Sequence, residues 1–331
     1  MPMCRRGSTQ SDQAPHEVTC DRQAEDSMSG ANDVERVYSA MEEAAGLLGV
    51  PVAREKVRPV LTAYQEALAD AVVVFSMAGG RRATELDFSI SVPTDHGDPF
   101  TTALQRGLTE KTGHPVDNLL AELREGFPLG MYAIDGMVST GFKKTYASFP
   151  TNEPQPLADL LDVPSMPASA RANAKLFADY GLDKVQMVSV DYPKRQVNLY
   201  FSELNTDYLQ PAQVKALAAE MGLVEPTGMG LEFAKGSFAV YPTLSYDTDA
   251  SDRLCYAVIS SDPTLAPTTS EPEVTQFSMY ANNAPYAYAG ENRTLVYGLT
   301  LTPKEEYYKL GSYYQITDYQ RKLVKAFEAL D

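Results

Sequence analysis

Lys194-Arg195-Gln196-Val197-Asn198-Leu199-Tyr200-Phe201 alternates polar and apolar side chains from Gln196 onward. In an extended strand, residues two apart share a face. Lys194, Gln196, Asn198 and Tyr200 therefore stand together, opposite Val197, Leu199 and Phe201. The second face is made for packing. The first carries a cation, two amides and a phenol, which suit a wet, anion-holding cavity better than a dry core.

Working outward, similar strand pairs recur. Strands are expected over 72–77 and 84–92, where Glu85, Asp87, Ser89 and Ser91 alternate with Leu86, Phe88 and Ile90. Further pairs are expected at 131–135 with 141–149, 185–190 with 196–204, 237–245 with 254–260, and 286–289 with 294–302. Helical patterns separate them, at 33–48, 54–68, 99–108, 116–126, 213–221 and 318–330. Five hairpins give ten strands, each with one polar and one apolar face. That pattern predicts an α+β fold of repeated αββα units: a ten-stranded antiparallel barrel, wet inside and surrounded by helices. An open antiparallel sheet fits the same spacings. Residues 1–30 read as a disordered leader and 31–331 as one barrel domain.

Composition narrows the function. The net charge of −16 argues against nucleic acid and anionic membrane surfaces as partners. Twenty Tyr and twelve Phe supply aromatic surface, much of it tipped with hydroxyl. Cys4, Cys20 and Cys255 have neither zinc nor disulfide spacing. No apolar run is long enough for a membrane span, and the basic opening is followed by polar residues rather than an apolar stretch. These features point to a cytoplasmic protein.

Lys144, Lys194, Arg253 and Lys309 fall in or beside four of the units, often close to tyrosines. Converging cations suit a diphosphate, because each adds charge-assisted hydrogen bonds to phosphate oxygens. Any one of these lysines also fits a solvated strand end. Asp87 shares a face with Ser89; it is either an exposed strand residue or a Mg²⁺ anchor, since Mg²⁺ takes few protein ligands plus phosphate and water. Neither a phosphate-binding glycine loop nor a nucleophilic triad is present. Cations, tyrosines and one Mg²⁺ would favour ionisation of an allylic diphosphate, with aromatic faces attracting the carbocation at roughly 0.5–2 kcal/mol each.

Longer motifs carry a resemblance. Glu85-Leu86-Asp87-Phe88-Ser89-Ile90-Ser91, Gly141-Phe142-Lys143-Lys144-Thr145-Tyr146, the 194–204 segment and Lys304-Glu305-Glu306-Tyr307-Tyr308-Lys309-Leu310-Gly311 closely resemble the soluble bacterial aromatic prenyltransferases of the ABBA family. The nearest members transfer geranyl groups to polyhydroxynaphthalenes. The likeness runs from about residue 33 to the C-terminus and implies a monomeric barrel enzyme with a prenyl diphosphate donor and a small aromatic acceptor. It implies that Lys144, Lys194, Asn198, Tyr241, Arg253 and Lys309 bind diphosphate, and that Asp87 holds Mg²⁺. Lys144, Tyr146 and Tyr241 would stand closest to the chemistry as catalytic residues, and Tyr146, Phe238 and Tyr241 would line the prenyl and acceptor space. Ser89, Gln186, Met187, Tyr200, Tyr313, Gln320 and Leu323 would surround acceptor or tail. Ala239 and Tyr319 depart from the family pattern, which has serine and valine there. Phe238 and Tyr241 cannot both face inward in a regular strand, so a bulge or a place for Phe238 at the barrel mouth is expected.

The same residues leave two other readings open. One is a non-catalytic barrel for a hydrophobic ligand, and the other is a prenyl diphosphate hydrolase or cyclase.

Overall fold

The computed structural model describes residues 18–260, 262, 264–266, 271–283 and 295–317. Eleven strands form one antiparallel sheet, with labels following chain order. They are β1 (Val73–Ala78), β2 (Leu86–Val92), β3 (Met131–Met137), β4 (Gly141–Ser148), the two-residue β5 (Gln155–Pro156), β6 (Lys184–Asp191), β7 (Gln196–Phe201), β8 (Ala239–Ser245), β9 (Ser251–Ser260), β10 (Leu295–Leu301) and β11 (Glu306–Gln315). The order is β4-β3-β2-β1-β11-β10-β9-β8-β7-β6, and β4 also pairs with β6, from Lys144 opposite Asp191 to Ser148 opposite Met187. This last pairing closes ten strands into a barrel and rules out the open sheet. β5 extends the β6 edge at Val185 and Lys184.

Binary patterning explains which way each strand faces. Phe75, Phe88, Ile90, Ile134, Val188, Val190, Leu199 and Leu299 are fully buried on the outer wall. Helices pack over this wall, including α1 (Val18–Leu47), α2 (Arg54–Ala63), α3 (Gln65–Leu68), α4 (Pro99–Gln105) and α5 (Leu119–Gly126). The hydrophobic core is therefore a sleeve between barrel and helices, and the interior is left to polar and aromatic side chains. Among the described residues, no helix is long and apolar enough to cross a membrane.

Three expectations change. The helix expected over 54–68 breaks at Tyr64 into α2 and α3. Residues 18–30, read as leader, belong to α1, whereas residues 1–17 lie outside the described residues. The tenth strand is β11 rather than 286–289: both edges of β10 are taken, by β9 and β11, and 286–289 and the helix at 318–330 lie outside the described residues. The doubled tyrosines of Tyr307-Tyr308 and Tyr313-Tyr314 hide the alternation of β11. Only the register shows Tyr308, Leu310 and Tyr314 packed outward, with Lys309, Gly311 and Tyr313 on the cavity side.

Candidate active site

The barrel encloses a cavity of about 590 Å³, within the range of small-molecule sites. Its two ends differ. Strand pairs trace one circuit of charge, with Asp135 opposite Lys144, Lys144 opposite Asp191, Thr243 opposite Arg253, Gly298 opposite Lys309, and Ser76 opposite Asp87. Met187, Ala239, Ala257, Val74, Val296 and Tyr313 line the wall away from this circuit.

Most of the residues singled out by sequence meet here. Lys144, Lys194, Arg253, Lys309, Asp87, Ser89, Tyr146, Met187, Tyr200, Phe238, Ala239, Tyr241 and Tyr313 all line the cavity. Phe238 precedes β8 and is 48% exposed, so it stands at the mouth while Tyr241 points inward; this is the second of the two arrangements that parity allowed. Asn198 lies one layer back. Its Oδ1 accepts from Thr243 Oγ1 at 2.7 Å, Arg253 Nε donates to the same Thr243 oxygen at 2.8 Å, and Asn198 Nδ2 donates to the Tyr200 hydroxyl at 3.3 Å. The Arg253 guanidinium is thus braced from behind with donors left for a ligand.

Gln186 is not brought to the cavity. It is the unpaired residue of a β6 bulge, between Val185 opposite Phe201 and Met187 opposite Tyr200. Its amide donates to the carbonyls of Phe149 and Pro150 at 2.8 and 3.2 Å. Tyr319, Gln320 and Leu323 lie outside the described residues.

A second bulge adds a cation that alternation would have sent outward. Asp135 opposes Lys144 and Gly136 opposes Phe142, so Lys143 is the extra residue. Both lysines consequently line the cavity. Lys143 Nζ pairs with Asp87 Oδ2, whereas Asp87 Oδ1 is buried with no hydrogen-bond partner. Lys144 Nζ lies 3.6 Å from Asp191 Oδ2, and Asp191 Oδ1 accepts from the Lys194 backbone N–H at 3.0 Å, fixing the turn that carries Lys194. Sequence reading also missed Arg82, which lines the mouth with its guanidinium 4.1 Å from the Tyr307 ring centroid and 2.5 Å from Glu305 Oε1.

The charges strain against one another. Burial pushes Lys144 down to about 8, with Lys143 and Arg253 adding to the shift and Asp191 opposing it. Burial, then Arg253, brings Lys309 down to about 8 as well. Burial also works against the charge on Lys143, but Asp87 and Asp135 outweigh it and hold that lysine above its ordinary value. Such cations gain from an anion placed among them.

Aromatic rings line the remaining wall. Tyr200 stacks on Tyr241 with centroids 4.4 Å apart, and Tyr146 lies 6.2 Å from Tyr200. Burial raises the phenol of Tyr200 to about 12 and those of Tyr146 and Tyr241 well above the ordinary value, so all three stay neutral. Neutral rings attract a carbocation without attacking it. One end can thus hold a polyanion while the wall shelters an apolar cation.

Comparison with known proteins agrees with this geometry. Residues 32–327 match the family described as Aromatic prenyltransferase Orf2. The chain is 38% identical over 301 residues to a 5,10-dihydrophenazine-1-carboxylate 9-dimethylallyltransferase of Streptomyces anulatus, covering 90% of this chain and 99% of that protein. It is 38% identical over 290 residues to a flaviolin linalyltransferase of Streptomyces virginiae, covering 87% and 94% of the two chains. A furaquinocin biosynthesis prenyltransferase of Streptomyces sp. (strain KO-3988) is 38% identical over 287 residues, with 86% and 91% covered. A match that spans the whole described barrel, with relatives aligned over nine-tenths of their length, shows that this chain belongs to the Orf2 family of aromatic prenyltransferases.

Proposed function

We propose that this enzyme transfers a geranyl group, or a shorter prenyl group, from its diphosphate to a ring carbon of a phenolic or polyhydroxynaphthalene-type acceptor. The observation that carries this reading is the polarity of the barrel cavity, cationic at one end and aromatic along the wall. In this reading Lys143, Lys144, Lys194, Arg253 and Lys309 hold and stabilise the departing diphosphate. Tyr146, Tyr200 and Tyr241 flank the allylic cation, and the electron-rich ring attacks it. A volume of about 590 Å³ admits donor and acceptor together. Relatives' names specify a dimethylallyl group in one case and a linalyl group in another; in this reading donor length is a matter of pocket depth. The reading takes the enzyme to be a monomer, as the family resemblance implies, and cytoplasmic, as the sequence reading expects.

The same reading puts a Mg²⁺ ion beside Asp87. Among the described residues no group of three or more His, Cys, Asp and Glu could hold a metal ion, so a metal would rely on diphosphate and water oxygens. The unpartnered Asp87 Oδ1, on a carboxylate that lines the cavity, is an oxygen suited to such an ion. A bound Mg²⁺ would neutralise diphosphate charge, complementing the lysines.

Mass analysis of products from geranyl diphosphate and a dihydroxynaphthalene, with Mg²⁺ and with chelator, tests both parts. A prenyl-mass adduct lost on chelation supports transfer with metal at Asp87. An adduct that survives chelation keeps the transferase and removes the metal. Diphosphate release without adduct, across several acceptors and with dimethylallyl diphosphate, favours a hydrolase. Replacing Lys144 and Lys309 together by Ala is expected to cut turnover by roughly 10²- to 10⁴-fold with an unchanged circular-dichroism spectrum. Full turnover in that variant would sink this placement of the diphosphate.

A further inference from the structure

We propose that Asp135, acting through the Tyr146 hydroxyl, takes up the proton that the acceptor ring loses after the new carbon–carbon bond forms. This inference rests on the prenyl-transfer reading above.

When the ring carbon attacks, it becomes tetrahedral, carrying both its hydrogen and the prenyl group, and the ring is left cationic. Aromaticity returns when the C–H electron pair falls back into the ring and the proton leaves. Such a cationic ring is a strong acid, so placement matters more than basicity. The lysines and Arg253 have nothing to accept with while charged. Asp87 is held by Lys143, and Asp191 by Lys144 and the Lys194 backbone. Asp135 is different. Its Oδ2 accepts from the Tyr146 hydroxyl at 2.6 Å, and its Oδ1 accepts from Ser89 Oγ. Tyr146 lines the cavity in the aromatic row beside Tyr200.

The carboxylate is thus coupled to the reaction space by one phenol, and Ser89 fixes which oxygen faces it. The bulge that brings Lys143 and Lys144 into the cavity leaves Asp135 between these cations and Tyr146, where its negative charge acts on both lysines. Burial and Asp135 together keep the phenol protonated, so it can receive a proton only as its own passes on. In the proposed step the ring proton moves to the Tyr146 oxygen while the Tyr146 hydrogen moves to Asp135 Oδ2. The products are a neutral aromatic ring, an intact tyrosine and a carboxylic acid. Asp135 is in this sense a positioning and accepting residue behind Tyr146, the group that meets the substrate.

The test is single turnover with geranyl diphosphate and a ring-deuterated dihydroxynaphthalene. Wild-type enzyme is expected to show no primary isotope effect, because proton loss follows a slower bond formation. Asp135→Asn keeps the shape and loses the base. Its rate is expected to fall by roughly 10²-fold or more, and a primary isotope effect to appear as proton loss becomes limiting. A purely structural role for Asp135 slows the reaction without any isotope effect, so an Asp135→Asn enzyme lacking one, at whatever rate, overturns the proposal. Should that variant fail to fold, Tyr146→Phe cuts the relay with the carboxylate in place, and the same presence or absence of the effect decides. Wild-type enzyme that makes no adduct at all would instead overturn the transfer reading on which the proposal stands.

Discussion

Lys309 borders the cavity, so part of its surface meets the enclosed space while the barrel wall keeps it from bulk water. Burial and Arg253 bring its ammonium down to about 8 from an ordinary 10.5. Between those values the folded protein holds fewer protons than the unfolded chain, so stability rises with pH across that window. Below about pH 8 the cost of the buried charge is fully present. Lys309→Met is therefore expected to raise the melting temperature at pH 7 and to lose that advantage above pH 10, while turnover falls by roughly 10²- to 10³-fold. Melting curves at the two pH values, beside an activity assay, check both halves. A melting temperature that drops at pH 7 would show that Lys309 is held by favourable contacts and not strained. Lys309, Lys144, Lys194 and Arg253 were legible because cations beside tyrosines are a poor choice for a dry core. Their partners Asp191 and Thr243 were not, because neither side chain looks unusual until the neighbouring strand is known.

Bulges decide what the individual strands present. Regular alternation in Gly141-Phe142-Lys143-Lys144 allows only one of the two lysines inside, yet the extra residue on β4 brings in both. The bulge on β6 turns Gln186 away to the carbonyls of Phe149 and Pro150. Both departures come from hydrogen-bond register within a hairpin, where one strand carries an extra residue that a period-two count along that strand cannot register. Gly136 flanks the β4 bulge and faces Phe88 across the β2–β3 pair. A Cβ there would stand 2.4 Å from the Phe88 ring, which is buried and cannot swing aside. Gly136→Ala is expected to destabilise by about 1–3 kcal/mol, and Phe88→Leu in the same chain to recover part of that loss. Denaturant unfolding of the two single variants and the double one measures the coupling. Additive losses would mean that the clash is relieved elsewhere.

Closure of the barrel gathers charge from β2, β4, β9 and β11 around one end of a single cavity. The site is thus spread over most of the chain, and an anion bound there ties distant strands together. Inorganic diphosphate at about a hundred times its dissociation constant is expected to stabilise the fold by about 2.7 kcal/mol. Thermal melts with diphosphate, against sodium chloride at equal ionic strength, read this directly. The Lys144→Ala/Lys309→Ala enzyme should show little of the shift. An equal shift in that variant would place the anion elsewhere. Ten strands and an antiparallel barrel were legible from hairpin patterns, but the tenth strand was misplaced, because its doubled tyrosines mask the period.

The sequence by itself determined the outer wall and the character of the interior, because side-chain period and polarity are local properties. Leu86, Phe88 and Ile90 can only pack, and Asp87 and Ser89 then face the other way. Its long motifs determined the family as well. Tertiary structure alone decided that β4 meets β6, that β11 completes the ring, that Lys143 joins Lys144 inside, and that Asp135 reaches the cavity through Tyr146. The first two depend on strands brought together only by closure, and the last two on a bulge in the β3–β4 hairpin. All four turn on the register of hydrogen bonds between strands, which side-chain period along one strand does not encode.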